Sequence, residues 1–322
     1  MSVLLGVDAG GSKTDVLVVD HTGRVLDRRR AGPANHEGVG HDGVRAVLTT
    51  VVGAALAATD TAAPDVAASA WGLAGLDWSG DVAPASRLVA DLGFVEPCLV
   101  VNDAWVALCA GAPSGLGIVL NSGTGVVAAG RDALGRRQRT PGVGAGFGDW
   151  GSGPDIVTAA LHSVVRAYSG LGPPTALTQR CLQRSGMDSV EAFAERVWRA
   201  RISDLLPTDV WEVAAAGDAE ALAIADRVAA SLAAAATAVA RRLGVDSTQG
   251  PPFDLVLSGR VLVERHPVLH DRLIAALHTK LPHARPVLLR VAPVVGAVLM
   301  AAEAAGLDGE PLRKALLPPQ RP

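Results

Sequence analysis

Paired cysteines, an excess of basic charge and long hydrophobic runs are all missing from this chain of 322 residues. Its three cysteines, Cys98, Cys109 and Cys181, are odd in number and lack the close paired spacing of zinc or iron–sulfur ligands. We therefore expect buried thiols in a reducing compartment, that is, a cytoplasmic protein. The formal net charge is −3 and the Lys and Arg residues are scattered, so we expect no nucleic-acid partner and favour a small molecule.

A membrane span is not expected either. The longest apolar run, residues 228–239, is rich in Ala and is bounded by Arg227, Arg241 and Arg242. Such a run is too short to cross a bilayer and is typical of a packed helix. The first residues also lack the basic and apolar regions of an export signal, so no export is expected.

Short β-branched runs alternate with helical patterns along the chain, which predicts an α/β fold. The predicted strands are residues 4–7, 16–20, 66–71, 99–102, 117–121, 126–130, 255–258 and 287–290. The predicted helices, with apolar residues three or four apart, are residues 42–58, 155–168, 219–243, 268–281 and 294–305. A chain of this length, half of it apolar, is expected to form two domains.

A quasi-repeat supports two similar domains. A strand enters a turn of Gly and hydroxyl residues around Gly11 and leads to a polar turn at Gly23, and the same order recurs at Gly123 and Gly135. The spacing between the two glycines is twelve residues in both copies, and an Arg-rich third strand follows each time. Unless a single pair of similar turns is coincidence, the repetition predicts two domains that face each other.

The first of these turns, residues 10–14, has the composition of a phosphate-binding loop. Glycine lets backbone N–H groups approach a phosphate without interference from Cβ, and hydroxyl side chains add donors. Asp8 offers a carboxylate for Mg²⁺, and Lys13 offers a cation for phosphate. A plain hairpin turn is the alternative interpretation.

Two familiar nucleotide motifs fit less well. A Walker A loop would use Gly6 and Gly11, but Ser12 stands where Lys is required. A dinucleotide fingerprint occurs at residues 146–151, without a buried strand before it or a convincing acidic ribose ligand after it. We therefore favour neither interpretation.

Asp103 is the candidate general base. Phosphoryl transfer to an alcohol needs a carboxylate that accepts the hydroxyl proton. Asp103 follows the predicted strand 99–102 and begins a helical stretch, so it should lie at the carboxyl edge of a sheet, where open α/β sheets place ligands. An aspartate that only caps the helix is the alternative.

Together these motifs resemble the sugar-kinase, heat-shock-protein and actin superfamily of ATPases, in particular the N-acetylglucosamine kinases and the related activator ATPases. The resemblance covers nearly the whole chain. Residues 6–14 are similar to the first phosphate motif, 101–104 to the connecting acidic motif, 120–125 to the second phosphate motif, 257–261 to the adenosine motif and 293–297 to the last helix. The resemblance implies ATP and Mg²⁺ as cofactors.

The resemblance also implies roles for individual residues. Asp8 would hold magnesium, and Asp103 would be the general base. The residues that would contact ATP are Gly10, Gly11, Ser12, Lys13, Thr14, Ser122, Gly123, Thr124, Gly125 and Gly259. The residues that would contact the sugar are Asn35, His36, Asn102, Asp103, Gly148 and Asp149.

One position departs from the family pattern. Residues 146–153 resemble the family's Gly-Asp-Glu-Gly segment, but Trp150 stands where the acidic residue normally lies. An indole there removes a hydrogen-bond acceptor and could stack on a pyranose face or line an acyl pocket. The identity of the sugar therefore stays open at this point.

The expected fold is α/β, with two ribonuclease-H-like (actin-like ATPase) domains hinged around a nucleotide cleft. Residues 1–103 with about 294–322 would form the first domain, and residues 104–293 the second, which carries the adenosine site. The implied activity is transfer of the γ-phosphoryl group of ATP to the 6-hydroxyl of an amino sugar, with N-acetylglucosamine preferred. Another amino sugar, such as glucosamine or N-acetylmuramic acid, and a coupled ATPase without a sugar acceptor are the alternatives.

Two branches of relatives are not favoured. Activators that feed electrons to a reductase hold an iron–sulfur cluster between subunits, and the cysteines here are too few and badly placed for one. A fused DNA-binding module is not expected, because the chain starts directly at the first phosphate strand. By analogy with relatives, the implied assembly is a homodimer.

Overall fold

Two five-stranded sheets organise the computed structural model, which describes residues 2–112, 114–200, 203–246 and 251–317. The first sheet contains β1 (Val3–Ala9), β2 (Thr14–Asp20), β3 (Val25–Ala31), β4 (Val66–Leu73) and β5 (Cys98–Asn102). The second contains β6 (Gly117–Ser122), β7 (Val126–Arg131), β8 (Arg137–Arg139), β9 (Phe253–Ser258) and β10 (Ala284–Leu288). All eight predicted strands are found, and β3 and β8 are the Arg-rich third strands of the repeat.

The two sheets share one strand order. It is β3-β2-β1-β4-β5 in the first sheet and β8-β7-β6-β9-β10 in the second. In each sheet the first three strands pair antiparallel. The last two strands then join in parallel. This is the ribonuclease-H-like arrangement twice over, so the predicted fold class is confirmed.

The polar turns of the two repeats are built from the same hydrogen bonds. Asp20 accepts from the backbone N–H groups two and four residues later at 2.9 and 3.1 Å. Asp132 accepts from the equivalent groups at 3.0 and 2.9 Å. Gly23 and Gly135 follow with φ values of 88° and 77°, which glycine adopts without strain. The quasi-repeat in the sequence is therefore a repeat in the structure.

The helices cover the sheets. They are α1 (His36–Ala58), α2 (Ser79–Asp91), α3 (Asp103–Gly111), α4 (Gly153–Tyr168), α5 (Leu177–Ser185), α6 (Val190–Ala200), α7 (Pro207–Ala215), α8 (Ala219–Leu243), α9 (Arg260–Val263), α10 (Pro267–Lys280), α11 (Val294–Ala304) and α12 (Gly309–Leu316). All five predicted helices are present, and α8 has the predicted bounds. α1 begins earlier than predicted, because a short helical segment precedes a break at Gly40, where φ is 70°.

The last strand was predicted too late in the sequence. β10 covers Ala284–Leu288 rather than residues 287–290. It contains Pro286, which has no backbone N–H to donate to a ladder. The proline is tolerated because β10 is an edge strand that pairs only with β9.

Helices α3 and α11 lie at the junction between the two sheets. α3 buries Val106 and Cys109 against α11 and the first sheet, and Ala107 and Leu108 against the second sheet. The two helices meet at Gly296, where a Cβ atom would lie 1.9 Å from the carbonyl oxygen of Val106. Only glycine allows this approach, so the junction depends on a residue without a side chain.

Helix α11 contacts β1, β2 and β4 of the first sheet. Residues 1 and 318–322 of the predicted first domain lie outside the described residues. The boundaries near residues 103 and 294 stay a prediction.

Helix α8 forms the centre of the second core. By length and composition it is the one helix in the described ranges that could cross a membrane. Half of its apolar window is buried inside the protein, however, and Val228 and Leu232 are fully buried. The helix packs on β6, β7 and α10, as predicted for a packed helix.

The cysteines are free thiols. Cys109 and Cys181 are buried as predicted, whereas Cys98 is only half-buried. The difference has a simple cause, since Cys98 begins β5 at the edge of the first sheet.

Candidate active site

The two Gly and hydroxyl turns face each other. The first turn (residues 10–14) is closed by the N–H of Gly10, which donates to the carbonyl of Lys13 at 2.9 Å. The second turn (residues 122–125) is closed by the N–H of Gly123, which donates to the carbonyl of Gly125 at 3.0 Å. A Cβ atom built on Gly11 would lie 4.0 Å from the methyl carbon of Thr124. The turns therefore line the two sides of one cleft.

Two of the hydroxyl groups assigned to phosphate hold the turns in place instead. The hydroxyl of Thr14 donates to the carbonyl of Gly32 at 2.9 Å, and that of Ser122 donates to the carbonyl of Gly151 at 2.8 Å. Both side chains are fully buried. Any phosphate contact from Thr14 or Ser122 is thus left to the backbone, whereas Ser12 and Thr124 are exposed and free to offer their hydroxyls.

Lys13 has a partner within the first turn. Its Nζ lies 2.7 Å from Oδ2 of Asp15, and 43% of its side chain is exposed. Although burial raises the pKa of Asp15, hydrogen bonds from Arg30 and Lys13 outweigh it and lower the pKa below its usual value. Because Arg30 alone can keep Asp15 paired, Lys13 can swing toward a phosphate without leaving a buried charge unpaired.

Two carboxylates lie at the carboxyl end of the first sheet, beside the first turn. Asp8 is near the end of β1, and Asp103 is the first residue of α3. Burial, and next the charge of Asp103, raise the pKa of Asp8 to about 7. Burial, and next the charge of Asp77, raise the pKa of Asp103 to about 6. The negative charge of Asp103 therefore acts on Asp8. A pKa of about 6 for Asp103 suits a general base at neutral pH.

This arrangement fits a magnesium ion bound together with a nucleotide. Among the described residues, no group of three or more His, Cys, Asp or Glu side chains could hold a metal. Mg²⁺ commonly uses only one or two carboxylates and completes its shell with water and phosphate oxygens. The repulsion between Asp8 and Asp103 would be relieved by such a cation, and Asp8 is the residue placed to hold it.

The structure resolves the alternative interpretation of Asp103. The residue that caps α3 is Asn102, whose Oδ1 accepts from the N–H of Ala104 at 3.1 Å. Asp103 follows inside the first turn of the helix, where the helix dipole favours a negative charge. Capping is thus provided by its neighbour.

An ion pair that the sequence did not reveal joins the two sheets beside this carboxylate. Arg139 at the end of β8 donates to Oδ1 of Asp77, which follows β4, at 2.6 Å. The guanidinium also donates to the carbonyls of Leu76 and Asp77 at 3.1 and 3.0 Å. The side chain of Arg139 is 17% exposed and that of Asp77 only 7%. Asn102 donates to the same Asp77 carboxylate at 3.3 Å.

No sequence signal pointed to this pair. The two residues lie 62 positions apart, on a loop and a strand whose meeting depends on the relative placement of the sheets. Arg139 was visible only as one member of an Arg-rich strand, and Asp77 only as part of a loop.

The predicted sugar loop lies against the Asp77 loop. Asn35 caps α1, since its Oδ1 accepts from the N–H of Glu37 at 3.0 Å. A Cβ on Gly75, where φ is 82°, would lie 2.5 Å from the same Oδ1 and 2.9 Å from the His36 ring. The stretch around Asn35 and the stretch that contains Asp77 are thus packed together.

Asp149 and Trp150 have structural partners in the second half of the chain. Oδ2 of Asp149 accepts from the N–H groups of Gly142 and Val143 at 2.7 and 3.1 Å, and the residue is buried. Gly148, just before it, has a φ of 97°. The guanidinium of Arg227 lies 3.9 Å from the centre of the Trp150 ring. One face of the indole is therefore covered, and the side chain also packs against the second core.

The adenosine motif lies against the second turn. Gly259, with a φ of 84°, precedes α9. A Cβ atom there would lie 2.2 Å from the carbonyl oxygen of Ser122. This close approach explains why glycine is required, and it sets the N-terminus of α9 beside the second turn.

Two ribonuclease-H-like halves with facing phosphate turns define the class of actin-like ATPases. The model of the BadF/BadG/BcrA/BcrD ATPase family matches residues 5–301, and the chain belongs to this family.

Two relatives are sugar kinases by name. Over 203 residues the chain is 30% identical to the N-acetylmuramic acid/N-acetylglucosamine kinase of Clostridium acetobutylicum, a match that covers 63% of this chain and 66% of that protein. Over 316 residues it is 29% identical to the N-acetyl-D-glucosamine kinase of Dictyostelium discoideum, with 93% and 97% covered.

Solved structures agree on the fold. A candidate N-acetylglucosamine kinase from Chromobacterium violaceum aligns with a TM-score of 0.71 at 24% identity, covering 94% of this chain and 99% of that one. A ROK family glucokinase from Streptomyces griseus, in complex with glucose and AMPPNP, aligns with a TM-score of 0.59 at 19% identity, covering 95% and 100%.

Proposed function

We propose that the protein is an ATP-dependent amino-sugar kinase that transfers the γ-phosphoryl group of ATP to the 6-hydroxyl of N-acetylglucosamine. The observation that carries the proposal is Asp103, a carboxylate with a pKa of about 6 at the carboxyl end of the first sheet, the end that carries the first of two facing glycine turns. The two relatives named as N-acetylglucosamine kinases support the choice of sugar.

In this mechanism Asp103 accepts the proton of the sugar hydroxyl as that oxygen attacks the γ-phosphorus. The proton moves to the carboxylate, a bond forms from the sugar oxygen to phosphorus, and the bond to the β-phosphate oxygen breaks to leave ADP. Backbone N–H groups of the first and second turns hold the phosphates, and Lys13 offers a cation to them. Magnesium bound near Asp8 would neutralise charge on the β- and γ-phosphates.

The sugar would bind between the first and second halves of the chain. Asn35, His36 and Asn102 are candidates from the first half, and Gly148 and Asp149 from the second. Asn35 and Asp149 are each held by local hydrogen bonds, so their remaining lone pairs would meet the sugar in a fixed orientation. Fixed donors and acceptors select a substrate by penalising any that leaves them unpaired.

The Asp77–Arg139 pair would position Asp103. The positive charge of Arg139 partly offsets the rise in the pKa of Asp103 that the Asp77 charge causes. The hydrogen bond from Arg139 to Asp77 also connects the two sides of the cleft. Closure of the cleft would exclude water, which matters because water competes with the sugar for the phosphoryl group. A cytoplasmic location and a homodimer belong to the same proposal, by analogy with kinases of this kind.

A coupled release assay for ADP across a panel of sugars tests the proposal. With saturating MgATP, we expect turnover with N-acetylglucosamine that exceeds turnover with glucose, glucosamine and N-acetylmuramic acid. Preference for another amino sugar would correct the substrate and retain the kinase. Slow ADP release that no sugar stimulates would overturn the kinase and favour a coupled ATPase.

A further inference from the structure

A second cavity lies at the junction of the two sheets, away from the candidate active site. Its volume is about 500 Å³, within the range of small-molecule sites. It is lined by the later residues of α3, the β7–β8 hairpin, the end of α11 and the start of α12. Because a helix rises about 1.5 Å per residue, Cys109 in its wall lies about 9 Å along α3 from Asp103. We call this space the back cavity.

Two arginines stand side by side in its wall. Arg131 of β7 and Arg137 of β8 are directly paired across the antiparallel strands, so their side chains lie on the same face of the sheet. Like charges in this position destabilise a sheet unless something compensates them. Although Arg137 is exposed to solvent along part of its length, partial desolvation of its guanidinium and next the charge of Arg131 lower its pKa from the usual value.

Other groups of the protein pair with the charges of Arg131 and Arg137 only in part. Arg137 lies over the Trp105 ring at 5.3 Å and has no ion-pair partner among the described residues. The Nε atom of Arg131 is buried and has no hydrogen-bond partner in the same part of the chain. The nearest carboxylate is Glu303, 3.7 Å from Arg131 and 66% exposed. A buried N–H without an acceptor is costly, and buried N–H groups are normally paired with protein groups or ordered water, so this one is available to donate to a ligand or to water.

The other charged groups of the back cavity are largely engaged elsewhere. Arg313 donates to the carbonyls of Cys109 and Ala112 at 3.2 and 3.4 Å. Asp308 caps α12 by accepting from the N–H of Glu310 at 3.0 Å. The carboxylate of Glu310 faces Lys314 at 3.8 Å. The side chains of Glu303 and Glu310 are 66% and 61% exposed to solvent, whereas Nε of Arg131 is the buried donor of this cavity that has no acceptor among the described residues.

The remaining wall is apolar. Leu108, Leu299, Met300 and Leu307 line the space beside the Trp105 ring. An arginine pair next to such a wall suits a ligand with one anionic group and an organic body, since the guanidinium fork matches both phosphate and carboxylate.

We propose that the back cavity binds a small anionic metabolite, with a phosphate or carboxylate group on Arg131 and Arg137, and that its occupancy regulates the cleft. The two arginines belong to the second sheet, whereas Arg313 belongs to α12 and Leu307 to the loop between α11 and α12, which packs on the first sheet. A ligand that contacts both groups of elements restrains their relative movement. The binding part of this inference stands without the proposed function; the regulatory part rests on it.

Thermal unfolding with two simple probes tests the binding. Pyrophosphate and citrate are titrated separately into the protein saturated with magnesium and AMPPNP, which occupies the phosphate turns of the active site. We expect at least one probe to raise the melting temperature with a saturable dose dependence, as linkage requires. A response to pyrophosphate alone identifies phosphate as the recognised group, and a response to citrate alone identifies carboxylate.

Arginine variants test whether the probe raises the melting temperature by binding in the back cavity. Arg137→Gln should weaken the apparent affinity for the probe at least tenfold, and Arg131→Gln should do the same. Arg87→Gln, which removes an exposed arginine of α2, is the matched control and should leave the affinity unchanged. If neither probe raises the melting temperature at 10 mM (about the upper range of metabolite concentrations), or if Arg137→Gln responds like wild type, the back cavity is not an anion site.

Hydrogen exchange on the unmodified protein gives a second readout that does not depend on a variant. The responding probe should slow exchange in the later part of α3 and in the β7–β8 hairpin. Protection confined to the first and second turns would overturn the proposal by showing that the probe binds the active site. If the protein binds the probe here but phosphorylates no sugar, the proposed function fails and the anion site stands.

Discussion

The first and second turns of the cleft have the same backbone plan and different chemistry. The first is surrounded by charge, with Asp8, Lys13 and Asp15 within a few residues. The second is neutral, and its neighbours are the hydroxyls of Ser122 and Thr124 and the backbone of Gly259. Each turn is anchored by one buried hydroxyl that donates to a distant carbonyl.

Some features of the two halves come from the repeated fold and are shared, and others are found in one half alone. Strand order, the Asp-capped polar turn and a glycine turn open to phosphate are present in both halves. In the proposed mechanism the carboxylates that would hold magnesium and accept the proton, Asp8 and Asp103, lie in the first half, whereas the close backbone approach of Gly259 to Ser122 lies in the second. We therefore expect substitutions in the two halves to affect different steps.

The largest expected effect concerns the first half. Asp103→Asn removes the proton acceptor, so kcat with a sugar should fall by about 10²–10⁴-fold. The affinity for AMPPNP should change little, because the phosphate turns are intact. Asp91→Asn, at an exposed ion pair, is the control. Steady-state kinetics and nucleotide titration check both parts, and wild-type turnover in Asp103→Asn would remove this residue from the mechanism.

The link between the halves is tested next. Arg139→Gln leaves Asp77 buried without its partner and should destabilise the protein by about 3 kcal/mol. A double-mutant cycle with Asp77→Asn should show a coupling energy above about 1 kcal/mol. The exposed pair Arg45–Asp91 is the matched control and should couple by less than about 0.5 kcal/mol. Equal coupling in the two cycles would show that the junction does not depend on this contact.

Alanine substitutions at two glycines, one in the first turn and one beside the second, test how closely each turn is packed. Gly259→Ala places a Cβ atom 2.2 Å from the Ser122 carbonyl at a φ of 84°. It should cost about 2 kcal/mol of stability or raise the KM for ATP about tenfold. The matched control Gly11→Ala meets nothing closer than 4.0 Å and should remain near wild type in stability. The prediction fails if the two variants melt alike and have the same KM for ATP.

The smallest expected effect is on the pH dependence of the free energy of unfolding. The pKa of Asp8 is raised from about 3.8 to about 7 in the folded protein, so the folded state holds a proton that the unfolded state releases. Asp8 therefore lowers stability as pH rises from about 4 to above 7. Without ligands, Asp8→Asn should be about 1–2 kcal/mol more stable than wild type at pH 8.

That gain should nearly disappear at pH 4, where Asp8 is protonated in the folded state and about half protonated in the unfolded state. Chemical denaturation at the two pH values measures it. A gain that is the same at pH 4 and pH 8, or a loss at pH 8, would show that Asp8 is not an electrostatically strained carboxylate.

The sequence predicted most of the fold because the relevant patterns are local. The spacing of Gly11 and Gly23 recurs at Gly123 and Gly135, and the shared strand order follows from that repetition. β10 begins at Ala284, before its predicted start, and it contains Pro286, which is unfavourable in most strands and is allowed here by an edge position.

Within the candidate site, the sequence predicted residue types better than their partners. The sequence offered Asp103 as a general base or a helix cap and Asn102 as a sugar contact, and only the structure shows that Asn102 caps the helix. The buried bonds of Thr14 and the ion pair between Asp77 and Arg139 join segments far apart in sequence. Contacts of this kind depend on how the sheets pack, which no local pattern records.

The most direct test of the whole account is the stoichiometry of the products. ³¹P NMR follows a reaction of the protein with MgATP and N-acetylglucosamine. The account predicts one equivalent of sugar 6-phosphate for each ADP, with little inorganic phosphate. Inorganic phosphate that forms at the same rate with and without sugar, with no sugar phosphate, would contradict it.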